Sequence, residues 1–178
     1  MNMPASPASH GEWLRLSDAQ RMVWLDLRLD PGTDMFVRRL DRKTVLQRRT
    51  ENRNGQQLAA ANVDTLLIVT SCNADFNPEK LERYLILANQ AGTTPVIVLT
   101  KADTVADAKA YEQQALTLQR GLPVVVLNAR SADAIAALDP WCGVGQTVAL
   151  VGSSGVGKST LVNTLAGPEP ETVQKTGG

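Results

Sequence analysis

TVALVGSSGVGKSTLVNTLAG, Thr147 to Gly167, is the stretch whose reading decides the fold. TVALVG (Thr147–Gly152) is a short apolar run that reads as a strand, and Lys158 to Ala166 begins a helix. Between them, Gly152-Ser153-Ser154-Gly155-Val156-Gly157-Lys158-Ser159 fits the pattern G-x-x-x-x-G-K-[ST]. Its glycines let backbone N–H groups turn inward around phosphate oxygens, and the following helix adds the positive end of its dipole. Lys158 is placed to reach the β- and γ-phosphates and to stabilise their charge, and Ser159 to offer a hydroxyl to Mg²⁺. Thr160 packs or caps beside them. A phosphate cradle usually opens a nucleotide-binding domain, yet this one comes late in a chain of 178 residues.

The residues upstream explain the position. From Val63 onward, apolar strands alternate with helices. DTLLIVT (64–70), PVIVLT (95–100) and PVVVLN (123–128) are near-continuous Val, Ile and Leu runs. Asn77-Pro78 supplies a cap and a first-turn proline for a helix through about Ala91, with Leu81, Tyr84, Leu85 and Ala88 as its apolar stripe. Thr104 with Asp107 resembles a capping box for a helix through about Gln119, and Ser131 caps a short helix after the third strand. Strands of this kind separated by helices imply an α/β fold, a parallel sheet with helices on both faces. In such sheets ligands bind outside the carboxyl ends of the strands.

Two further loops lie at those ends. Thr100-Lys101-Ala102-Asp103 follows the second apolar strand. A carboxylate at Asp103 accepts from guanine N1–H and the 2-amino group, donors that adenine does not present there. The Lys101 stem can lie across the base plane. Thr100 stands where such motifs usually carry Asn, and its hydroxyl supplies some of the same loop-bracing hydrogen bonds. Asn128-Ala129-Arg130 follows the third strand, where guanine sites often read Ser-Ala-Lys, and the Ala129 N–H is a candidate donor to guanine O6.

A T/N-K-x-D loop, then a Ser-Ala-Lys-like turn, then the phosphate loop is the order of circularly permuted GTPases. LAAANVDTLLIVTSCNADFNPEKLERYL (58–85), VIVLTKAD and LVGSSGVGKSTLVNTLAG closely resemble the ribosome small-subunit-dependent GTPase family, RsgA or YjeQ. The resemblance implies a GTPase that binds GTP or GDP with Mg²⁺, with an N-terminal OB-fold barrel before its permuted GTPase domain. Its partners would be the small ribosomal subunit and rRNA during late maturation. Family members carry a zinc-binding helical domain afterwards; no zinc-ligand spacing occurs in this chain. By the resemblance the chain divides into a disordered tail (1–10), a partial β-rich OB-fold piece (11–50), a linker (51–62, polar over 51–57), and a permuted GTPase domain (63–178), incomplete at its C-terminus. Neither the switch threonine nor the D-x-P-G loop of a GTPase lies between Ala166 and Gly178, so no position is assigned to the switches, and the chain is expected to hydrolyse GTP poorly. It looks like an internal piece of a longer member. The resemblance also puts the 147–151 strand beside the 63–70 strand, leaving an open sheet edge through which the chain is expected to self-associate.

Bulk composition sets wider bounds. Net formal charge is zero and the hydrophobic fraction 43%, as in ordinary globular chains. The charge is uneven: Arg38, Arg39, Arg42, Lys43, Arg48, Arg49 and Arg53 face only Asp41 and Glu51 in that stretch. This is either a solvated basic face or a phosphate-contacting patch, with Arg42, Lys43, Arg48 and Arg49 the RNA-binding candidates. Trp13, Trp24 and Phe36 are available to stack on bases or to pack a core. Two cysteines and a single His10 give neither a metal-ligand spacing nor a disulfide framework. No signal peptide or bilayer-length apolar run is present, so the expected location is the cytoplasm without membrane contact. Two rival readings remain: an ATP-handling P-loop enzyme such as a small kinase, and a non-catalytic RNA-binding module working through the basic, β-rich start.

Overall fold

The computed structural model describes residues 27–29, 36–39, 41–49 and 56–166. The tail at 1–10, Trp13, Trp24 and Arg53 lie outside the described residues.

Two short antiparallel ladders come first. β1 (Leu27–Leu29) pairs with β2 (Phe36–Arg39), and β3 (Val45–Arg49) with β4 (Gln56–Ala61). β4 corrects the expected linker over 51–62, because its last half is a strand. QQLAAA is too polar and small to announce a strand by periodicity. Its order comes from the ladder to β3 and from the ends of the hairpin: Asn62 N–H donates to the Thr44 carbonyl at 2.9 Å, and the Thr44 hydroxyl to the Val63 carbonyl at 2.8 Å. Leu46, assigned above to the barrel piece, is buried in the same apolar cluster as Val63, Leu66 and Leu85. The β3–β4 hairpin is thus packed into the α/β unit.

The main sheet is parallel, in the order β7-β6-β5-β8, from β5 (Thr65–Ser71), β6 (Thr94–Thr100), β7 (Val124–Val126) and β8 (Val148–Val151). Strand alternation sorts their side chains onto two faces. Leu66, Ile68, Ile97 and Leu99 face one core cluster; Leu67, Val69, Val96 and Val98 face the other. The first cluster is closed by α1 (Pro78–Ala91) and α2 (Ala108–Leu116), through Leu81, Leu85, Ala88 and Ala115. The second is closed by α3 (Asp133–Leu138) and α4 (Lys158–Ala166), through Ala134, Leu138 and Leu161. The sheet carries helices on both faces, the α/β arrangement expected.

Local chemistry accounts for the helix ends. Asn77 Oδ1 accepts from Lys80 N–H at 3.0 Å, Pro78 occupies the first turn, and Gly92 closes α1 at φ 75°. The capping box expected from Thr104 and Asp107 does not form. Asp107 caps α2 alone, accepting from Ala110 N–H at 3.1 Å, while Thr104 ends a 3-10 turn (Ala102–Thr104) and donates back to the Lys101 carbonyl at 2.8 Å. α2 also stops at Leu116 rather than Gln119, because Thr117 and Leu118 tighten to i→i−3 bonds. Ser131 Oγ accepts from Asp133 N–H at 3.2 Å at the start of α3.

Among the described residues no helix is long and apolar enough to cross a membrane.

Candidate functional site

Three loops leave the carboxyl ends of β6, β7 and β8, and they meet at one cleft of about 440 Å³. Thr100, Lys101, Asp103, Asn128, Ala129, Arg130, Gly155, Gly157 and Thr160 all line it, together with Thr104, which the sequence suggested only as a helix cap. The volume lies within the range of small-molecule sites, roughly 300–1,000 Å³.

The phosphate loop lies over the end of β5. At Gly152 (φ 147°) a Cβ would sit 2.1 Å from the Val69 carbonyl oxygen, so this close approach of two backbones needs glycine. Val156 turns its side chain into the second core cluster and offers the loop only its backbone. Lys158 folds back, its Nζ donating to the carbonyls of Gly152 at 3.0 Å and Ser153 at 2.6 Å. The first bond of α4 runs from Leu161 N–H to the Gly157 carbonyl at 2.9 Å. Ser153 and Ser154 in the same loop, and Ser159 at the start of α4, do not line the cleft.

Thr100 braces this loop. It is fully buried, and its Oγ1 lies 2.6 Å from the Val156 carbonyl and 3.1 Å from the Thr70 carbonyl. A hydroxyl has one proton, and the shorter contact takes it. One short side chain therefore joins the end of β6 to the phosphate loop. Lys101 then adopts a left-handed backbone (φ 57°), which turns the chain so that Asp103 is exposed at the rim. The Thr104 hydroxyl fixes that turn through the Lys101 carbonyl.

The 128–131 turn is bonded more densely. Ser131 N–H donates to the Asn128 carbonyl at 3.0 Å, and Ala134 N–H to the Ser131 carbonyl at 3.1 Å. Asn128 Oδ1 accepts from Arg130 N–H at 2.9 Å, and the Thr164 hydroxyl donates to the Ala129 carbonyl at 2.7 Å. Ala129 is buried, and its N–H has no partner among the described residues.

The free cysteines Cys72 and Cys142 lie apart from the cleft lining. Burial pushes both thiols up, and Asp139 pushes Cys142 up further. The described residues hold no cluster of three or more His, Cys, Asp or Glu side chains able to bind a metal ion. That does not conflict with Mg²⁺ at a nucleotide, which takes one or two protein oxygens and completes its shell with phosphate and water. The loop fits such a group: Gly152 lets it pass close over the end of β5, and Ser159 stands at the start of α4 beside Lys158. Of the RNA candidates, Arg42 and Lys43 are exposed and do not line the cleft, and Arg48 and Arg49 lie in β3.

The RsgA GTPase family model matches residues 39–178. The chain belongs to the RsgA GTPase family. Among curated relatives, the small ribosomal subunit biogenesis GTPase RsgA of Mesorhizobium japonicum is 66% identical over 149 residues, 84% of this chain and 43% of the relative. The small ribosomal subunit biogenesis GTPase RsgA 2 of Vibrio vulnificus is 44% identical over 169 residues, 94% of this chain and 44% of the relative. The chain spans less than half the length of these RsgA relatives. Among solved structures, YjeQ from Thermotoga maritima aligns with a TM-score of 0.59 at 23% identity, covering 80% of this chain and 48% of that one. YloQ, described as a circularly permuted GTPase, aligns at 0.53 and 23% identity over 76% of this chain and 46% of its own. Those two likenesses concern the fold, and the order of loops in this RsgA-family chain agrees with a permuted P-loop GTPase.

Proposed function

We propose that the chain binds GTP and GDP at this cleft and contributes to GTP hydrolysis in the maturation of the small ribosomal subunit. The observation that carries the reading is the meeting of the T-K-x-D loop, the 128–131 turn and the phosphate loop in one cleft at the carboxyl end of the sheet. In this reading Asp103 accepts from guanine N1–H and the 2-amino group, Ala129 N–H donates to O6, and the Lys101 stem covers one face of the base. Backbone N–H groups from Gly152 to Thr160 surround the phosphates. Lys158 exchanges its loop carbonyls for β- and γ-phosphate oxygens, and stabilises the charge that spreads there as water attacks the γ-phosphorus and the bond to the bridging oxygen breaks. Mg²⁺, held through Ser159, would neutralise developing phosphate charge when bound. These residues position and stabilise; none of them is assigned to orient the attacking water.

The names of the relatives support a partner in the small ribosomal subunit. In this reading rRNA meets the basic stretch at Arg42, Lys43, Arg48 and Arg49, and the chain works in the cytoplasm.

Nucleotide titration decides between this reading and an ATP-handling enzyme. Fluorescent GDP should bind and be displaced by GTP, not by ATP at equal concentration. Asp103→Asn removes an acceptor of two hydrogen bonds and should weaken GDP about 100-fold with little effect on ATP. A preference of the unsubstituted chain for ATP would end the GTPase reading.

A further inference from the structure

We propose that Thr164 is a positioning residue for base recognition: it holds the 128–131 turn so that the Ala129 N–H is left for the 6-oxo group of a purine. The inference rests on the base site proposed above and concerns a residue outside the loops that form it.

Thr164 lies in α4, one helical turn after Thr160, and i,i+4 residues share a helix face. Thr160 lines the cleft; Thr164, on the same face, meets the underside of the turn and donates to the Ala129 carbonyl at 2.7 Å. That carbonyl and the Arg130 N–H belong to the same peptide plane. Asn128 Oδ1 accepts from the Arg130 N–H at 2.9 Å, so the plane is held at both polar ends. The preceding plane carries the Asn128 carbonyl and the Ala129 N–H. Its carbonyl accepts from Ser131 N–H at 3.0 Å. Three of the four polar groups on the two planes are thus committed, and the fourth, the Ala129 N–H, has no partner among the described residues although Ala129 is 6% exposed. A buried donor left in this state is costly unless something arrives to accept from it. Ala129 lines the cleft, so a ligand oxygen can be that acceptor.

Thr164 also makes the arrangement a ruler. α4 starts at Lys158 and Ser159 and reaches the base turn through Thr164, so one rigid helix sets the base-reading amide at a fixed distance from the phosphate loop. The Thr100 hydroxyl on the Val156 carbonyl makes the matching connection for the T-K-x-D loop. Thr164 touches no ligand in this account; it acts through Ala129.

The test measures dissociation constants of the full chain for GDP, IDP and 6-thio-GDP, with Thr164→Val and Thr164→Ser. IDP keeps the 6-oxo group and loses the 2-amino group; 6-thio-GDP replaces the oxygen with sulfur, a poor acceptor. All three share sugar and phosphates, so they control for folding of each variant. Thr164→Val should weaken GDP and IDP about tenfold, the size of one net hydrogen bond, and 6-thio-GDP by less than about twofold. Thr164→Ser keeps the donor and should restore oxygen-over-sulfur discrimination. Equal loss on all three ligands, no loss on any, or failure of Thr164→Ser to restore discrimination would overturn the role of Thr164 while leaving the base site standing. If the unsubstituted chain does not distinguish GDP from 6-thio-GDP, the Ala129 contact fails, and the role of Thr164 falls with it.

Discussion

Glycine positions in the phosphate loop differ sharply in what they demand, and the difference is measurable. Gly152 and Gly155 both have positive φ, 147° and 77°. A Cβ on Gly152 would stand 2.1 Å from the Val69 carbonyl oxygen, a backbone atom of a buried strand that cannot move aside. A Cβ on Gly155 would meet nothing within 4 Å, and its φ is an ordinary left-handed value. Gly152→Ala should therefore destabilise the chain by about 3 kcal/mol or more and abolish nucleotide binding. Gly155→Ala should cost about 1 kcal/mol, the usual left-handed penalty. Urea midpoints with GDP titration check both, and equal effects would show that the approach of loop to β5 is not what Gly152 serves. The sequence motif names Gly152 and is silent on Gly155, so this ranking was half legible before the fold was known. The clash partner, Val69, was not legible at all, since it lies more than eighty positions earlier in the chain.

Between elements, short hydroxyl side chains connect the sheet, the loops and α4. Thr100 shows how. Its place in T-K-x-D was readable, and the expectation that its hydroxyl braces the loop is met by the 2.6 Å contact with the Val156 carbonyl. Thr100→Val keeps shape and burial and removes that donor. It should lower stability by about 1–3 kcal/mol, the cost of stranding a buried carbonyl, and weaken GDP binding. Thr100→Ser should recover most of both; chemical denaturation and GDP titration report the two effects separately. If Thr100→Val matches the unsubstituted chain, the brace is ornamental. The four strands of the parallel sheet and α1 were legible because each carries an apolar run or a cap with a first-turn proline. β4 was not, because QQLAAA has no period of its own and is ordered by β3. Thr104 failed as a capping residue for a similar reason: the sequence offers two hydroxyl or carboxylate candidates before α2, and only the 3-10 turn at 102–104 decides which of them caps. Thr164 carried a faint signal, its one-turn spacing from Thr160, which gains meaning once the turn at Ala129 is seen beneath it.

At the scale of the whole molecule, the order β7-β6-β5-β8 puts the strand of the phosphate loop at a sheet edge among the described residues. The family resemblance implied this placement; the order of the loops in the sequence does not by itself fix it. β8 is Val148–Val151, VALV, and all four residues are half-buried. Ala149 and Val151 pack toward one core cluster, Val148 and Leu150 toward the other, so the strand is apolar on both faces. It carries no charge or proline of the kind that guards open edges, and on its outer side it pairs with no strand among the described residues. We expect copies of the chain to associate through this edge. Sedimentation velocity from low to high micromolar concentration should show the average sedimentation coefficient rising with concentration. Because β8 leads straight into Gly152, pairing at the edge and filling of the phosphate loop act on the same strand. Saturating GDP, by ordering the loop, should therefore change the concentration at which association sets in. A sedimentation coefficient that stays at the monomer value throughout would mean that β8 is shielded, and the edge would then play no part in association.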